Sequence, residues 1–549
     1  MLRYWVLIET GGNQSFIFDT NRLRHAVGAS QLIHESTTGW LEEQVGEHED
    51  VSVVQSVSGK ALLVVPSPAA GRAIIRALSE RALREAPGME LTGVIGPPFD
   101  DTARAVVAAG PDRRAGALPG GMGEATDFLD ALGRARRELS GVRATRPSMT
   151  LRDLVMPWHE LCPESGLPVA GSERYGSGAR PAAEPVLKRS QARERARGRL
   201  LALLGDELRG LVPENMDELA HDGWIAIVHA DGNGVGTLFQ NFPSLLAQAL
   251  GTRELTLENF CDHLSAVSGE LEAATSGAFA AAAVTAAKTI REPRDTLLPL
   301  VIGGDDVTFA CHAGMATILV REFLEEFHQR TARQEFLAEL AGRLTAGGGR
   351  GLTASAGIAI VKPHHPFGSA YDLAADLCEN AKVVKTAAAG AAVSSFDVHV
   401  SVDSTLRSLE ATRAAMTVDG MSRTAAPFAV RHGQGQAGRP GAAGDTGDGW
   451  LDRHDVRHLE AATELVSTLS ASHAHDLRAA SDLGLASYEQ MARAVAERER
   501  LGTAARELLA VTAEPGPPGT GFLRLIDAML LDGVRGGRAA PAGQGTARS

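Results

Sequence analysis

Two short stretches carry the residue types from which a cation site could be built. Asp305 and Asp306 follow Gly303 and Gly304, between the apolar runs LLPLVI (297–302) and VTFAC (307–311). Asp231 ends the run WIAIVHA (224–230) and opens the sequence DGNGVG. Either stretch alone reads as a turn, since Asp-Gly and Asn-Gly are common turn formers. A hairpin, however, has no need of adjacent carboxylates, whose repulsion costs stability unless a cation or solvent screens it. Hard oxygen donors of this kind suit Mg²⁺ or Mn²⁺, which keep waters and substrate phosphates as further ligands. Gly303 and Gly304 leave room for a nucleotide to approach the backbone. Two ions there would hold an attacking 3′-hydroxyl and a leaving pyrophosphate in line.

These carboxylates need a scaffold that brings them together. The block at about 216–400 reads strand, helix, two strands flanking GGDD, helix, strand (352–361), helix (369–387) and closing strand (394–400). The order βαββαβ is that of a ferredoxin-like split unit, in which strand 1 lies beside the hairpin. Asp231, Asp305 and Asp306 then reach one cation cluster. On the later helix Lys382 and Lys385 are three apart and share a face. They are candidates for a triphosphate contact, although a lysine pair is also an ordinary solvated helix edge. Lysine is otherwise scarce, six against 48 arginines.

The same order recurs in residues 1–145: WVLIE, a helical stretch over 20–46, the strands VSVVQSV and ALLVVP around Ser58-Gly59-Lys60, a helix over 70–85 and LTGVIG. That hairpin carries no carboxylate. Residues 146–215 read as a linker and helical region, with 163–187 as the linker itself. Long helical patterns fill 401–532, interrupted by the Gly-rich stretch 431–449 and by PGPPG at 515–519, and a disordered tail is expected over 533–549. The fold class is therefore α+β, with two ferredoxin-like units and a C-terminal helical domain.

Composition bounds the function. Lys+Arg is 54 and Asp+Glu 67, a net charge of −13, which excludes a general nucleic-acid sponge. Hydrophobic content of 44% excludes a wholly disordered chain. The four cysteines form no C-x-x-C pair, so neither a disulfide scaffold nor a self-contained zinc ribbon is expected. Glu9 interrupts the first apolar run too early for a signal peptide, and no stretch is apolar enough to span a bilayer. The expectation is a cytoplasmic chain without a membrane partner.

The residues together resemble a known family. Asp231-Gly-Asn-Gly, the GGDD hairpin, SAGIAIVKPHHPF (355–367) and the helix ending in Ala381-Lys382 look like the second palm domain of the CRISPR polymerase. That protein is the large subunit of type III interference complexes. ETGGNQSFIFDTNRLRHAVGASQLI and the SGKALLVVP hairpin resemble its first, degenerate palm, and the C-terminal helices loosely resemble its terminal helical domain. The resemblance implies a nucleotidyltransferase that joins ATP into cyclic oligoadenylate, an antiviral second messenger. It maps the metal-binding carboxylates onto Asp231, Asp305 and Asp306, and a metal-holding backbone carbonyl onto Gly232. Asn233, Gly234, Gly303, Gly304, Lys382 and Lys385 would line the nucleotide. It further implies two Mg²⁺ or Mn²⁺ ions, a nucleoside triphosphate as substrate, and guide RNA and other type III subunits as candidate partners.

Departures from the family pattern are visible. On this resemblance the given sequence is expected to start in the first palm, where the family often has a histidine–aspartate nuclease domain before it. His221-Asp222 and His454-Asp455 read as incidental. LCPESGLPV keeps Cys162 but has Ser165 where a second zinc-binding cysteine would stand, so the zinc module is expected to be lost, its turn surviving within the linker. A reduced or stand-alone synthase fits these departures. Two other readings stay open: a diguanylate cyclase, which shares the GGDD hairpin, and a non-catalytic scaffold of an RNA-guided complex. The run Arg189, Arg193, Arg195, Arg197 and Arg199 reads as a solvated helix, with an RNA-facing surface as the alternative. His364-His365 reads as a loop feature.

Overall fold

The computed structural model describes residues 1–20, 22–107, 127–146, 155–175, 178–213, 219, 223–290, 293–344, 349–388, 391–402, 408–432, 449–514 and 521–534. The architecture is mixed α and β, with a helical C-terminal region.

The N-terminal unit is built on β1 (Leu2–Gly11), whose residues Trp5, Val6, Leu7 and Ile8 are all buried. A strand covered on both faces shows a continuous apolar run rather than alternation. It is followed by α1 (Asn13–Phe18) and α2 (Leu23–Thr37), then by the hairpin of β2 (Ser52–Val57) and β3 (Lys60–Val65). After α3 (Pro68–Glu85) comes β4 (Glu90–Asp100), and α4 (Phe128–Thr145) packs on the sheet. The antiparallel sheet has the order β2-β3-β1-β4.

The stretch 163–187 is not an open linker. Val169–Tyr175 and Gly178–Ala183 pair as a hairpin that leads into α5 (Glu184–Leu204). The segment is pinned by charge. His25, fully buried on α2, stands 2.6 Å from Glu164 and 2.8 Å from Glu173, and Arg24 pairs with Glu173 at 3.1 Å. Burial works against a charged imidazole here, but the two carboxylates outweigh it and raise the His25 pKa. Cys162 is buried beside this cluster, in a turn closed by the Cys162 N–H on the Leu167 carbonyl. The basic run is partly packed and partly solvated: the Arg189 side chain is buried, whereas just over half of the Arg195 side chain is exposed. Arg189 pairs with Asp19 at 2.5 Å, Arg195 with Glu35 at 2.7 Å, and Arg199 bonds Gln31 at 2.8 Å, so α5 is bolted to α2.

The central unit begins with β5 (Ile225–Asn233), which runs through Asp231 and Gly232 rather than ending before them. The long helix α6 (Leu257–Ala287) leads to β6 (Leu297–Gly303) and β7 (Asp306–His312), then α7 (Ala313–Arg333), β8 (Thr353–Val361), α8 (Phe367–Ala381) and β9 (Val393–Val400). A further strand from beyond residue 400, β10 (Phe428–Arg431), pairs antiparallel with β9. The sheet order is β6-β7-β5-β8-β9-β10, so β5 lies between the hairpin and β8. Gly357 on β8 fixes how closely α8 lies: a Cβ there would stand 1.9 Å from the Ala374 carbonyl oxygen.

Helices Val456–Thr468, Ala471–Asp482, Leu485–Arg498, Thr503–Leu509 and Arg524–Val534 form most of the C-terminal region. At the start of the stretch expected to be helical over 401–532, Leu409–Ala415 is helical, but Thr417–Val418 pairs with Met421–Ser422 in a small sheet. Residues 403–407 lie outside the described residues, as do His221-Asp222, PGPPG, nearly all of 431–449 and the tail from 535. His454 and Asp455 are structural: His454 is 2.7 Å from the Ala425 carbonyl and stacks on Trp450, and Asp455 caps the helix Val456–Thr468.

Candidate active site

The hairpin geometry sets the carboxylates. Gly303 pairs with Asp306, leaving Gly304 and Asp305 as the two turn residues. Gly304 takes a φ of 60°, which a glycine adopts without strain at the first central position of a tight hairpin turn. Thr275, fully buried on α6, donates to the Gly304 carbonyl at 2.5 Å and anchors the tip. β7 and β5 pair with Val307 opposite Ala230, so the next step of the register sets Asp306 opposite Asp231. A Cβ at Gly232 would lie 2.7 Å from Asp305 Cβ, so only glycine lets the tip close over β5.

Electrostatics couples the three groups. Burial, then the neighbouring Asp231 and Asp306, push the Asp305 carboxyl up to about 7. Burial and Asp231 push Asp306 up to about 7 as well. Asp306 is not wholly sealed, since 46% of its side-chain surface is exposed. Its Oδ1, however, is buried without a hydrogen-bond partner. Burial sets the direction of both shifts, and the nearby Asp231 carboxylate adds to it.

Cations approach from two sides. Lys382, just past the end of α8, sits 3.0 Å from Asp231 and 2.9 Å from Glu379. Burial opposes its charge, but these two partners raise its pKa. Lys385 Nζ would be 3.7 Å from a Cβ on Gly234. Beneath them runs a buried polar ladder. Ser355 donates to Asn233 Oδ1 at 3.0 Å and lies 3.0 Å from Ser395, which donates to the Ala381 carbonyl at 2.8 Å. The ladder joins β5, β8, β9 and the end of α8, and so fixes where Lys382 emerges. The second cation comes from the N-terminal unit. A Cβ on Gly303 would stand 3.4 Å from Ser58 Cβ, so the two hairpins face each other. Lys60, exposed at the start of β3, acts electrostatically on both Asp305 and Asp306.

Sequence reading thus named residues that the fold brings together: Asp231, Gly232, Asn233 and Gly234 on one segment, Gly303 to Asp306 on the hairpin, and Lys382 and Lys385 beside them. It missed three contributors. Thr275 sits mid-helix with nothing to distinguish it. Lys60 lay in a hairpin set aside for lacking carboxylates. His229, quoted with the motif, received no role, yet its Nδ1 is 3.4 Å from Asp306 Oδ1. His364 and His365 belong to the loop before α8, with His364 exposed.

The donor set fits a divalent cation. It offers hard oxygens and carboxylate repulsion that a cation would relieve. Among the described residues, no three His, Cys, Asp or Glu side chains already converge on one point. Lys382 holds the Asp231 carboxylate that an ion would share.

Comparison with known proteins agrees with the geometry. Residues 224–389 match the family model of the Cas10/Cmr2 second palm domain. This region is similar to the Cas10/Cmr2 palm. The matched palm holds Asp231, the GGDD hairpin, Lys382 and Lys385. No curated protein matches the chain. Similar solved structures include the Csm1–Csm4 subcomplex of the type III-A CRISPR–Csm interference complex, at 14% identity and a TM-score of 0.40, covering 70% of this chain and 53% of that one. A Csm1–Csm4 cassette with one ATP matches at 13% identity and a TM-score of 0.38, with the same coverage. Csm1 of T. onnurineus matches at 14% identity and a TM-score of 0.38, covering 69% of this chain and 51% of that one. The chain thus spans about half the length of these structures. No helix among the described residues is long and apolar enough to cross a membrane.

Proposed function

We propose that the chain is a metal-dependent nucleotidyltransferase that joins ATP into a cyclic-oligoadenylate-type product in antiviral defence. On this reading the N-terminal and central units are both palms of the ferredoxin-like kind. The strand order β2-β3-β1-β4 and its counterpart β6-β7-β5-β8 support the assignment. One observation carries the function: Asp231 on β5 lies beside the hairpin that carries Asp305 at its turn and Asp306 at the start of β7, in a palm matching Cas10/Cmr2, with lysines on both sides.

Asp231, Asp305, Asp306 and the Gly232 carbonyl would hold two Mg²⁺ or Mn²⁺ ions. Bound there, the ions supply Lewis acidity toward a 3′-hydroxyl and charge neutralisation for departing pyrophosphate. The chain's own residues do the rest. Gly303 and Gly304 let a nucleotide lie against the hairpin backbone. Lys382 exchanges Asp231 for phosphate oxygens when an ion takes the carboxylate, and Lys385 extends the same cationic edge along Asn233 and Gly234. Lys60 faces the site from the first palm, where it can hold a second polyphosphate. With both hairpins in place, acceptor and donor nucleotides are aligned between the palms.

The test is incubation of the purified chain with each labelled nucleoside triphosphate and Mg²⁺ or Mn²⁺, with products resolved by mass spectrometry. A cyclic oligoadenylate that disappears in Asp305→Ala/Asp306→Ala is the expected result. A product from GTP alone would replace the reading with that of a diguanylate cyclase. An inert chain that co-purifies with guide RNA and partner subunits, and stays inert in that complex, would make it a scaffold.

A further inference from the structure

Asp306 carries an oxygen that the proposed metal chemistry leaves unexplained. Its Oδ1 is buried and makes no hydrogen bond. A sealed acceptor without a partner costs about 1–3 kcal/mol. The group nearest to meeting it is His229. Two residues before Asp231 on β5, His229 projects on the same face of the sheet, because side chains alternate along a strand. The register sets it opposite Thr308, as Asp231 is opposite Asp306. Its Nδ1 lies 3.1 Å from Thr308 Oγ1 and 3.4 Å from Asp306 Oδ1. The second distance is just too long for a good hydrogen bond and closes with a small turn of either side chain.

The ring is held from behind. Tyr371 on α8 meets it edge-on, with centroids 5.6 Å apart, and is itself stacked at 3.8 Å on Phe18 of α1. His229 therefore has little freedom to swing away.

We propose that His229 is a positioning residue for the metal centre: its Nδ1–H donates to Asp306 Oδ1 and aims the other carboxylate oxygen at the cation. The inference rests on the metal reading above and adds to it a residue that touches neither ion nor substrate. A hydrogen bond of this kind fixes a ligand's orientation and raises its affinity, and losing one typically weakens metal binding about 10- to 100-fold.

The test titrates Mn²⁺ alone into the full chain by calorimetry, with metal-free melting temperatures recorded in parallel. Four proteins are compared: wild type, His229→Leu, His229→Asn and Asp306→Ala. The asparagine amide N–H reaches about as far as Nδ1–H, so it restores the donor without the ring. His229→Leu should weaken Mn²⁺ binding about 10- to 100-fold, while His229→Asn stays near wild type and Asp306→Ala loses the site. Wild-type affinity in His229→Leu, or equal weakening in the leucine and asparagine variants, would overturn the positioning role. If Asp306→Ala also binds Mn²⁺ as wild type does, the metal reading itself falls.

Discussion

Replacing Asp306 by asparagine should stabilise the metal-free protein and abolish its response to metal. In the metal-free state, burial and Asp231 push the Asp306 carboxyl from 3.8 up to about 7. At about 1.4 kcal/mol per pH unit, a fully sealed group so shifted would cost about 4 kcal/mol once ionised. Nearly half of the Asp306 side-chain surface meets solvent, and screening reduces the cost to about 1–2 kcal/mol. The sign follows from linkage. A carboxyl whose folded pKa is raised binds protons more tightly when folded, so stability falls as pH rises from about 4 through about 7, and the penalty is complete above that window. Asp306→Asn removes this penalty, so at pH 8 without metal its melting temperature should exceed wild type by about 2–6 °C, and the two should converge near pH 4. Magnesium should reverse the order. At 100 times its dissociation constant an ion adds about 2.7 kcal/mol to the wild type and nothing to a variant that cannot bind it. Scanning calorimetry over pH 4–8, with and without Mg²⁺, reads both effects. A metal-free variant less stable than wild type at pH 8, or a variant with the same magnesium shift, would refute the view that these carboxylates are held together in wait for a cation.

Two further outcomes probe the scaffold. His25→Leu removes the bridge between half-buried Glu164 and buried Glu173, which keep Thr20 and Arg24 as partners, and should cost about 1–3 kcal/mol. In the wild type the raised His25 pKa contributes stability below about 6.5 that is lost as pH rises through the folded value, and the lowered Glu164 and Glu173 pKa values contribute stability lost as pH falls below about 4.5. A melting-temperature profile from pH 4 to 9 should therefore show both slopes, and the His25 variant should lack the upper one. Gly357→Ala places a methyl 1.9 Å from the Ala374 carbonyl oxygen and 2.4 Å from the Cys378 nitrogen. Moving α8 outward should cost about 1–3 kcal/mol or more and shift Lys382 from Asp231, which chemical denaturation and ATP binding would each detect.

The elements of both β-containing units were legible because their strands are apolar runs and their helices amphipathic. The runs at 224–230, 297–302 and 307–311 became β5, β6 and β7 with small changes at their ends. What resisted reading depends on partners distant in sequence. The stretch 163–187 has the glycines and prolines of a linker, yet His25 and Arg24, about 140 to 150 residues earlier, pin it by pairing with Glu164 and Glu173. The ion pairs of Arg189 and Arg195 escape a reading along the chain because their carboxylate partners, Asp19 and Glu35, lie in the first unit. β10 is four residues beyond a long break and has meaning only as a neighbour of β9.

The two hairpins show the same limit at the site itself. In the first unit Val57 pairs with Lys60 across Ser58-Gly59, and Lys60 is opposite Glu9 on β1. In the second, Gly303 pairs with Asp306 across Gly304-Asp305, and the register carries Asp306 opposite Asp231. Lys60 therefore occupies the position that Asp306 holds, and Glu9 that of Asp231. Read along the chain, the first hairpin has simply lost its carboxylates. Set face to face, one hairpin brings two negative charges and the other a positive one, and the lysine offsets part of the repulsion between Asp305 and Asp306. A carboxylate at position 60 would raise that repulsion instead.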